Sequence, residues 1–300
     1  MDIRRLEVFC KVVDLGSFTR AAEASLLSQP SVSEHVRALE EQFDEKLIDR
    51  LGRRAQPTHA GKILYQYARR IIQLKNEATQ AIAQFQGTLA GKLALGASTI
   101  PGAYLLPRHI ETFKEGHSCV DLMLKIAGSS HIVENVLSGQ LELGLIGTVW
   151  KDQRLVCEPM FADELVLAVY PEHPWAQRKN ILAAQLLDTS FILRETGSGT
   201  RIEMTKALRT VGLECGHLQV VAEMGSNEAV RQGVRAKIGV SILSLLSVSE
   251  DVERGNLVIV PIEALTMPRS FYLIQRHNRQ LSPLAAEFCR HLQQNRKDSQ

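Results

Sequence analysis

The first residues of this chain whose types and spacing could do chemistry lie between positions 28 and 40. Val32, Val36 and Leu39 recur at helical spacing, so we expect them to face inward. The opposite face keeps side chains that donate and accept hydrogen bonds, namely Gln29, Ser31, Ser33, His35 and Arg37. Such side chains suit base edges and phosphates in the major groove of DNA. The pattern predicts a DNA recognition helix, although a polar face that is simply solvated has a similar composition.

A preceding short helix is expected to hold this recognition helix in place. Its apolar residues repeat at helical spacing, so one side is predicted to face a core and to let the two helices cross closely. These residues are Phe18, Ala21, Ala22 and Leu26. Ser17 is a candidate N-cap of the first helix. Ser28 or Gln29 precedes the second helix, and Pro30 lies in its first turn, where the missing N–H costs nothing. The spacing predicts a helix-turn-helix.

The flanking segments extend this unit. Residues 2–14 are predicted to form an amphipathic helix that completes a three-helix core. Leu47–Pro57 is short and Arg-rich and predicts a wing, whose Arg53 and Arg54 could reach an adjacent minor groove. Basic residues dominate positions 50–75 and acidic residues cluster at positions 40–45, which can orient the protein on phosphate, although a solvated basic face is the alternative. The predicted DNA-binding residues are Ser17, Thr19, Arg20, Gln29, Pro30, Ser31, Ser33, His35, Arg37, Arg50, Arg53 and Arg54.

Thr58 is predicted to cap a long helix that runs without Pro or Gly from Lys62 to about Gln86. At 1.5 Å per residue such a helix is about 40 Å long. Apolar residues recur every seven positions, which is the pattern of a coiled-coil seam. The seam consists of Leu64, Ile71, Ala78 and Phe85, with Tyr67, Leu74 and Ala81 between them. We expect this helix to join two copies of the chain so that two recognition helices read two half-sites, although the seam could instead pack on its own domain.

Beyond residue 91 the chain changes character, and apolar runs alternate with helical patterns. This alternation predicts an α/β domain. The predicted strands are Leu93–Ala97, Val120–Ile126, Leu141–Ile146, Leu165–Tyr170, Phe191–Leu193, Leu218–Glu223, Gly239–Ile242, Leu257–Ile262 and Phe271–Gln275. The predicted helices lie near Tyr104–Lys114, Ile132–Leu137, Arg201–Val211, Asn227–Ala236 and Pro283–Gln294. A further predicted strand and helix near the end of the sequence indicate that the chain returns to its first lobe. This predicts two lobes, with crossovers near Ala162–Glu164 and Ala264–Met267.

Three strand-to-helix connections in this half place hydroxyl groups at a helix N-terminus. They are Ser98-Thr99-Ile100-Pro101, Ser129-Ser130 and Gly197-Ser198-Gly199-Thr200. Free N–H groups and the helix dipole favour anions at such ends. Ordinary N-capping explains each connection alone, but together, between two lobes, they predict a pocket for a small anion or carboxylate. The predicted ligand-binding residues are Ser98, Thr99, Ile100, Ser129, Ser130, Thr148, Ser198, Gly199, Thr200 and Asn227.

The composition is that of an ordinary folded protein, with 45% hydrophobic and 23% charged residues. No apolar run is long enough to span a membrane, and the charged first residues argue against a secretory signal. The five cysteines are scattered without a Cys-x-x-Cys pair, which favours a reducing cytoplasm and argues against structural zinc. A redox-sensing pair such as Cys157 with Cys215 is the alternative to free core cysteines.

Catalysis and solute transport are the two alternative functions. A nucleophile elbow has the pattern Gly-x-Ser-x-Gly, but here Thr196 and Thr200 flank Gly197-Ser198-Gly199, so the spacing does not match. The segment also lacks the Lys of a phosphate-binding loop. Asp163 and Glu164 are adjacent, so on a strand they would point to opposite faces. We therefore predict no catalytic residue, no metal site and no cofactor. A solute-binding protein would share the two lobes but would need an export signal.

Taken together, the chain resembles the LysR-type transcriptional regulators over its full length. In the N-terminal part the matching residues are Phe9, Gly16-Ser17-Phe18-Thr19, Ala21-Ala22, Ser28-Gln29-Pro30, Val32-Ser33, Leu39-Glu40, Leu47, Arg50 and Thr58–Gly61. In the remainder they are Ala97-Ser98-Thr99, Leu105-Leu106-Pro107, Leu141-Glu142-Leu143-Gly144 and Gly197-Ser198-Gly199-Thr200-Arg201, the last being similar to members that govern sulfur or carbon assimilation. The chain departs from the family pattern at Phe43-Asp44, Ile48 and His59, where Leu-Gly, Phe and Pro are usual. These departures affect the packing under the wing more than any presumed DNA contact.

The resemblance implies an α+β multi-domain chain with three parts. These are a winged helix-turn-helix domain at residues 1–58, a dimerisation helix at residues 59–88 and a periplasmic-binding-protein-like effector domain at residues 89–300. The lobes of the effector domain would be residues 89–162 with 267–300, and residues 163–266. The implied function is sequence-specific, DNA-binding transcriptional regulation that a small anionic effector modulates. The implied partners are double-stranded operator DNA, an anionic or carboxylate effector, further copies in a homodimer or homotetramer, and RNA polymerase, all in the cytoplasm and away from the membrane.

Overall fold

Side-chain hydrogen bonds to backbone N–H groups define where the first three helices begin. In the computed structural model, which describes residues 2–51, 54–85 and 89–296, Asp2, Ser17 and Ser28 each accept a bond from the N–H two or three residues later. The helices are α1 (Ile3–Leu15), α2 (Phe18–Ser25) and α3 (Gln29–Phe43). The predicted cap at Ser17 and the position of Pro30 in the first turn of α3 are confirmed, and of the two candidates Ser28 and Gln29 it is Ser28 that precedes and caps α3.

The turn between α2 and α3 corrects one expected core position. Leu26, predicted to face the core, is 95% exposed. Because α2 ends at Ser25, Leu26 leaves the helical progression, adopts a left-handed φ of 55° and closes the helix with its own N–H. Ser25 is buried instead, and Leu27 packs partly against the core. The remaining inward positions of α2 and α3 are buried as predicted, apart from half-buried Phe18.

A two-stranded hairpin follows α3, as the predicted wing requires. Its strands are β1 (Ile48–Leu51) and β2 (Arg54–Pro57), which pair antiparallel. The long helix α4 (His59–Phe85) begins next, and Thr58 Oγ1 caps it by accepting the Gly61 N–H at 3.0 Å. The backbone N–H of Ala55 donates to the carbonyl of Gly16 at 2.9 Å. This bond ties the hairpin to the end of α1.

The predicted heptad residues of α4 do not all lie on one exposed face of the helix. Leu64 and Ile71 pack against the core of their own unit, where they contact the group of apolar residues around α1. Tyr67 and Leu74 are exposed, the latter at 66%. Polar contacts also fix α4 to α1: Tyr65 bonds to Asp14, Arg69 pairs with Asp14 at 3.3 Å, and Lys75 Nζ lies 2.8 Å from Glu7. The heptad positions are thus shared between two faces of the helix, because α1 occupies one of them.

The chain divides into two units, Met1–Thr88 with Ser138–Gln140, and Leu89–Leu137 with Leu141–Gln300. The strands of the second unit are β3 (Gly91–Ala97), β4 (Val120–Ile126), β5 (Leu143–Ile146), β6 (Leu155–Val169), β7 (Ser190–Arg194), β8 (Gln219–Met224), β9 (Ser241–Ser244), β10 (Val258–Ile259) and β11 (Pro268–Arg276). Its helices are α5 (Leu106–Gly116), α6 (Ser129–Leu137), α7 (Gly199–Thr210), α8 (Asn227–Arg235), α9 (Leu245–Glu253) and α10 (Pro283–Gln294). The strand order is β10-β6-β11-β5-β3-β4, with β9 also beside β6, and β7 pairs with β8 in parallel.

Two lobes share the long strand β6. Its first part pairs antiparallel with β11, and its second part pairs with β9 and β10. One pair of apolar cores lies around β3, β5, β11 and α10, and another lies around β7, β9, α7 and α8. The predicted two-lobed α/β arrangement is therefore confirmed. None of the helices in the described part of the chain is long and apolar enough to cross a membrane.

The structure also corrects two elements of the sequence reading. The predicted strand at Leu165–Tyr170 is only the last third of β6, since residues 155–164 carry mixed polar and apolar side chains and become a strand by pairing with the distant β11. Helix α9 was not predicted, because its apolar start continues the apolar run of β9 without a break. The first error has a tertiary cause, since a local pattern does not reveal a distant partner.

Candidate functional site

Helix α3 carries six of the predicted DNA-binding residues, and none of these six is buried. Gln29, Pro30 and Arg37 are exposed, and Ser31, Ser33 and His35 are half-buried. Their hydrogen bonds are local: Gln29 Nε2 donates to Ser33 Oγ at 3.0 Å, and Ser31 Oγ lies 2.8 Å from the capping Ser28 Oγ. Arg37 pairs with Glu41 at 2.7 Å in an exposed position, where such a pair contributes little. These side chains can therefore exchange their present partners for a ligand at low cost.

The other predicted DNA-binding residues are distributed around this face. Ser17 is occupied in capping α2, while Thr19 and Arg20 are exposed in its first turn. The backbones of Arg50 and Arg54 lie in β1 and β2, and Arg53 lies outside the described residues. A groove beside α3 brings three of the predicted α3 residues, Pro30, Ser33 and Arg37, next to the start of the hairpin. It is lined by Phe18, Pro30, Ser33, Glu34, Val36, Arg37, Glu40, Lys46 and Ile48.

A cleft that is partly open to solvent lies in the second unit. It is lined by Ser98, Thr99, Ile100, Gly128, Ser129, Gly147, Arg194, Ser198, Gly199, Thr200, Arg269 and Phe271. Three helical segments begin here: the one that leads into α5 follows Ser98, α6 begins at Ser129, and α7 begins at Gly199. Seven of the ten predicted ligand-binding residues therefore meet at one cleft. The free backbone N–H groups at the three helix N-termini favour the binding of an anion.

Two arginines in the cleft were missed by sequence reasoning. The side chains of Arg194 and Arg269 are 4% and 2% exposed. Arg194 pairs with Glu195 at 2.7 Å, and its Nη1 donates to Thr99 at 3.4 Å and to Asn227 at 3.3 Å. No local motif marks these arginines, because each lies near one end of an ordinary strand. The available signal is a cation beside an apolar run.

Arg269 lies where β6 and β11 pass between the lobes. Its guanidinium lies 2.7 Å from Asp163, whose side chain is fully buried, and Nη1 donates to Thr200 Oγ1 at 3.2 Å. Ser244 Oγ donates to the same carboxylate at 2.8 Å, and the guanidinium carbon lies 4.9 Å from the ring centre of Phe271. Burial lowers the pKa of Arg269, and the charge of Asp163 opposes this effect.

Three predicted ligand-binding residues do not line the cleft. Asn227 stands behind it and accepts the bond from Arg194, while Thr148 bonds to Glu203 beside it. Ser130 packs next to Gly197 rather than into the cleft. Ser129 Oγ and Asn227 Nδ2 are among the buried polar atoms near this site that have no hydrogen-bond partner in the described residues. A buried donor without a partner is unfavourable, so these atoms indicate a place where a ligand can bond.

The cysteines do not form a bonded pair in the described residues. Cys10, Cys119, Cys157, Cys215 and Cys289 are all free. Burial raises the pKa of Cys10 and of Cys289 to about 12, so both remain thiols at neutral pH. Among the residues that the structure describes, no group of three His, Cys, Asp or Glu side chains could hold a metal ion.

Two family models match the chain. The LysR substrate binding domain matches residues 86–297, and the bacterial regulatory helix-turn-helix protein, lysR family, matches residues 3–62. The chain therefore belongs to the LysR family. It is a DNA-binding transcriptional regulator with an effector-binding domain, as the sequence predicts.

The chain is similar to several known members of this family. The RuBisCO operon transcriptional regulator of Allochromatium vinosum is 34% identical over 289 residues, which cover 96% of this chain and 94% of that protein. The CcmR regulatory domain of Synechocystis PCC6803, solved in complex with 2-PG, is 27% identical with a TM-score of 0.64 and covers 69% of this chain and 98% of that one. Full-length CbnR, solved with its target DNA, is 20% identical with a TM-score of 0.70 and covers 98% and 99%. This last similarity supports the fold alone.

The buried pair at the cleft leads to a stability prediction. We expect Asp163→Asn to lower the free energy of unfolding of the second unit by about 3–5 kcal/mol, because it leaves the guanidinium of Arg269 buried without its counter-charge. Urea unfolding followed by tryptophan fluorescence measures this, since both tryptophans, Trp150 and Trp175, belong to that unit. Glu164→Gln, at the exposed neighbouring position, should change the same free energy by less than about 0.5 kcal/mol. Equal effects of the two substitutions would contradict this account of the pair.

Proposed function

We propose that the chain regulates transcription by reading operator DNA with α3 and the β1–β2 hairpin, and by binding a small anion in the cleft of the second unit. The observation that carries the effector assignment is the meeting of three helix N-termini with two buried arginines at one cleft. The unpartnered Ser129 Oγ at the same cleft supports it. A regulator of this kind acts in the cytoplasm by binding rather than by catalysis, and it contacts RNA polymerase at the promoter.

The chemistry of the cleft favours a ligand with one compact anionic group, either a carboxylate or a phosphate. Arg194 and Arg269 each have a carboxylate partner already, so they contribute hydrogen-bond donors more than uncompensated charge. Helix N-termini supply further N–H donors. The 2-PG complex of the CcmR domain and the name of the Allochromatium vinosum relative support carbon assimilation as the regulated process. Because the cleft residues come from both lobes, a bound anion would favour one lobe arrangement over others.

Self-association through α4 would place two recognition helices on one operator. Ile63, Tyr67 and Leu74 are exposed large hydrophobic residues on this helix. At about 100° per residue they lie within about 40° of one another around the helix axis, so they form one apolar stripe. A second copy of the chain can cover this stripe, in a dimer or a tetramer. The helix would then use one face for its own unit and the next face for the partner.

The effector proposal predicts a loss of affinity without a loss of stability. Because Ser129 Oγ has no partner in the described residues, Ser129→Ala should leave the thermal stability of the free protein unchanged. It should weaken the binding of the anion about tenfold, which corresponds to a charge-assisted hydrogen bond of about 1.4 kcal/mol. Thr200→Ala should also weaken the response, but it removes the acceptor of an Arg269 bond and can alter the fold.

Calorimetry with sulfate, phosphate, small carboxylates and 2-PG measures these affinities. Ser118→Ala, on an exposed serine outside the cleft, is the matched control and should bind as the wild type does. If none of the anions binds, or if Ser129→Ala binds them all unchanged, the effector assignment is wrong.

The DNA proposal predicts two different defects. Gln29→Ala should cost about 1–3 kcal/mol of discrimination at one operator position, because an exposed amide at the start of α3 is placed to read a base edge. Arg20→Ala should weaken binding equally on all sequences and reduce the slope of log affinity against log salt by about 1, as expected for a phosphate contact. Anisotropy titrations on a set of operator variants at several salt concentrations distinguish them. If Gln29→Ala leaves the sequence preference unchanged, Gln29 does not read a base.

The self-association proposal predicts that Leu74→Glu dissociates the protein, because a charge at this exposed position must be desolvated in the interface. Sedimentation equilibrium should show a lower mass for this variant and weaker binding to a two-half-site operator. Asn76→Glu, an exposed position on nearly the opposite side of α4, should keep the mass of the wild type. An unchanged mass for Leu74→Glu would show that the stripe is not the interface.

A further inference from the structure

A single carboxylate at the end of α3 binds the start of the hairpin. Glu40 Oε1 accepts the backbone N–H of Leu47 at 3.0 Å and that of Ile48 at 3.4 Å. Its Oε2 accepts from Lys46 Nζ at 3.0 Å. The backbone carbonyl of the same residue accepts the N–H groups of Asp44 and Glu45, which close α3. Glu40 thus holds both ends of the connection between α3 and β1.

The amide bonds, rather than the ion pair, dominate this arrangement. The side chain of Glu40 is 12% exposed, whereas that of Lys46 is 78% exposed. An ion pair with so exposed a partner contributes little, but bonds from backbone N–H groups to a half-buried carboxylate are strong. Burial alone would raise the pKa of Glu40, but the bonds from Lys46 and from the two backbone N–H groups outweigh it and lower the pKa. The carboxylate is therefore charged and fixed.

The same segment also contacts the start of α4. Thr58 Oγ1 donates to the carbonyl of Lys46 at 2.6 Å, and the Thr58 N–H donates to the carbonyl of Leu47 at 3.0 Å. Gly61 is packed so closely that a Cβ there would lie 2.0 Å from the Leu47 carbonyl oxygen. Only glycine permits this approach. Residues 46–48 are thus held between α3 and α4, and Glu40 provides the hydrogen bonds on the α3 side.

The position of Glu40 on α3 explains why this matters for DNA. Residues 29, 33, 37 and 40 follow one another at intervals of four, four and three, so they form one row along the helix. An uncompensated carboxylate in this row would repel phosphate. Here the charge of Glu40 is compensated by its bonds to residues 46–48. The groove beside α3 is lined by Glu40 together with Ser33 and Arg37.

We propose that Glu40 is a positioning residue that holds the β1–β2 hairpin at a fixed angle to α3, so that both elements contact the same stretch of DNA. This inference rests on the proposed function, in which α3 and the hairpin both bind the operator. Glu40 itself does not contact the DNA. It acts through the backbone of Leu47 and Ile48, and so its effect on binding requires the hairpin.

A double-mutant cycle on the full-length protein tests the proposal. Operator affinity is measured by anisotropy for the wild type, Glu40→Ala, Arg54→Ala and the double variant, at a temperature well below the unfolding midpoint of each. Glu40→Ala should weaken binding about tenfold. Arg54→Ala, at the start of β2, should weaken binding about fivefold in the wild type but less than twofold in the Glu40→Ala background. Glu40→Gln should restore most of the affinity, because its amide oxygen can still accept the Leu47 N–H.

The neighbouring Glu41 provides the matched control. Glu41→Ala removes the same charge from the same end of α3, but its carboxylate pairs only with exposed Arg37 among the described contacts, and binding should not weaken. If Arg54→Ala weakens binding equally in both backgrounds, the hairpin contact stands and the positioning role of Glu40 is wrong. If Arg54→Ala has no effect in the wild type, the hairpin contact itself is wrong, and the positioning proposal falls with it. If Glu41→Ala matches Glu40→Ala, charge alone explains the effect and the proposal is overturned.

Discussion

The buried pair of Asp163 with Arg269 is the interaction on which the second unit depends. It joins β6 to β11 where both strands pass between the lobes, at a distance of 2.7 Å and with both side chains almost fully buried. Two buried charges are unfavourable unless their remaining hydrogen-bonding groups are satisfied. Ser244 from the end of β9 and Thr200 from the start of α7 supply two such bonds. The pair therefore determines where elements of both lobes meet, and the cleft forms at that point.

The electrostatics of the cleft follow from this arrangement. Because each buried arginine has a carboxylate partner, the cleft presents hydrogen-bond donors in a setting of low polarity without a large net charge. Donors that are fixed and shielded from water bind an anion more strongly than mobile surface lysines do. The three helix N-termini add N–H groups that the helices cannot satisfy themselves. Ser129 Oγ, which has no hydrogen-bond partner among the described residues, lies at the same cleft.

The first unit uses a carboxylate in a comparable way. The carboxylate of Glu40 accepts hydrogen bonds from the N–H groups of a neighbouring segment, and that of Asp163 accepts them from a guanidinium and a hydroxyl. In both units, one acidic side chain joins elements that carry predicted binding residues. Apolar packing supplies most of the stabilisation, but it is not directional, and the hydrogen bonds to these carboxylates are. In both units, a small number of polar contacts therefore orients the elements that these carboxylates join.

The sequence by itself determined what depends on neighbours within one or two helical turns. The caps at Ser17, Ser28 and Thr58, the inward face of α3 and the hydroxyls at three helix N-termini are local features, and most helices and strands were predicted from periodicity. Only the tertiary structure decided which elements meet. Arg269 and Asp163 are 106 residues apart, and Arg194 bonds to a threonine 95 residues away, so no local pattern could place them in the cleft. The exposure of Leu26 and the division of the α4 seam were likewise decided by turn geometry and by packing on α1, because burial depends on what lies opposite a residue and not on its type.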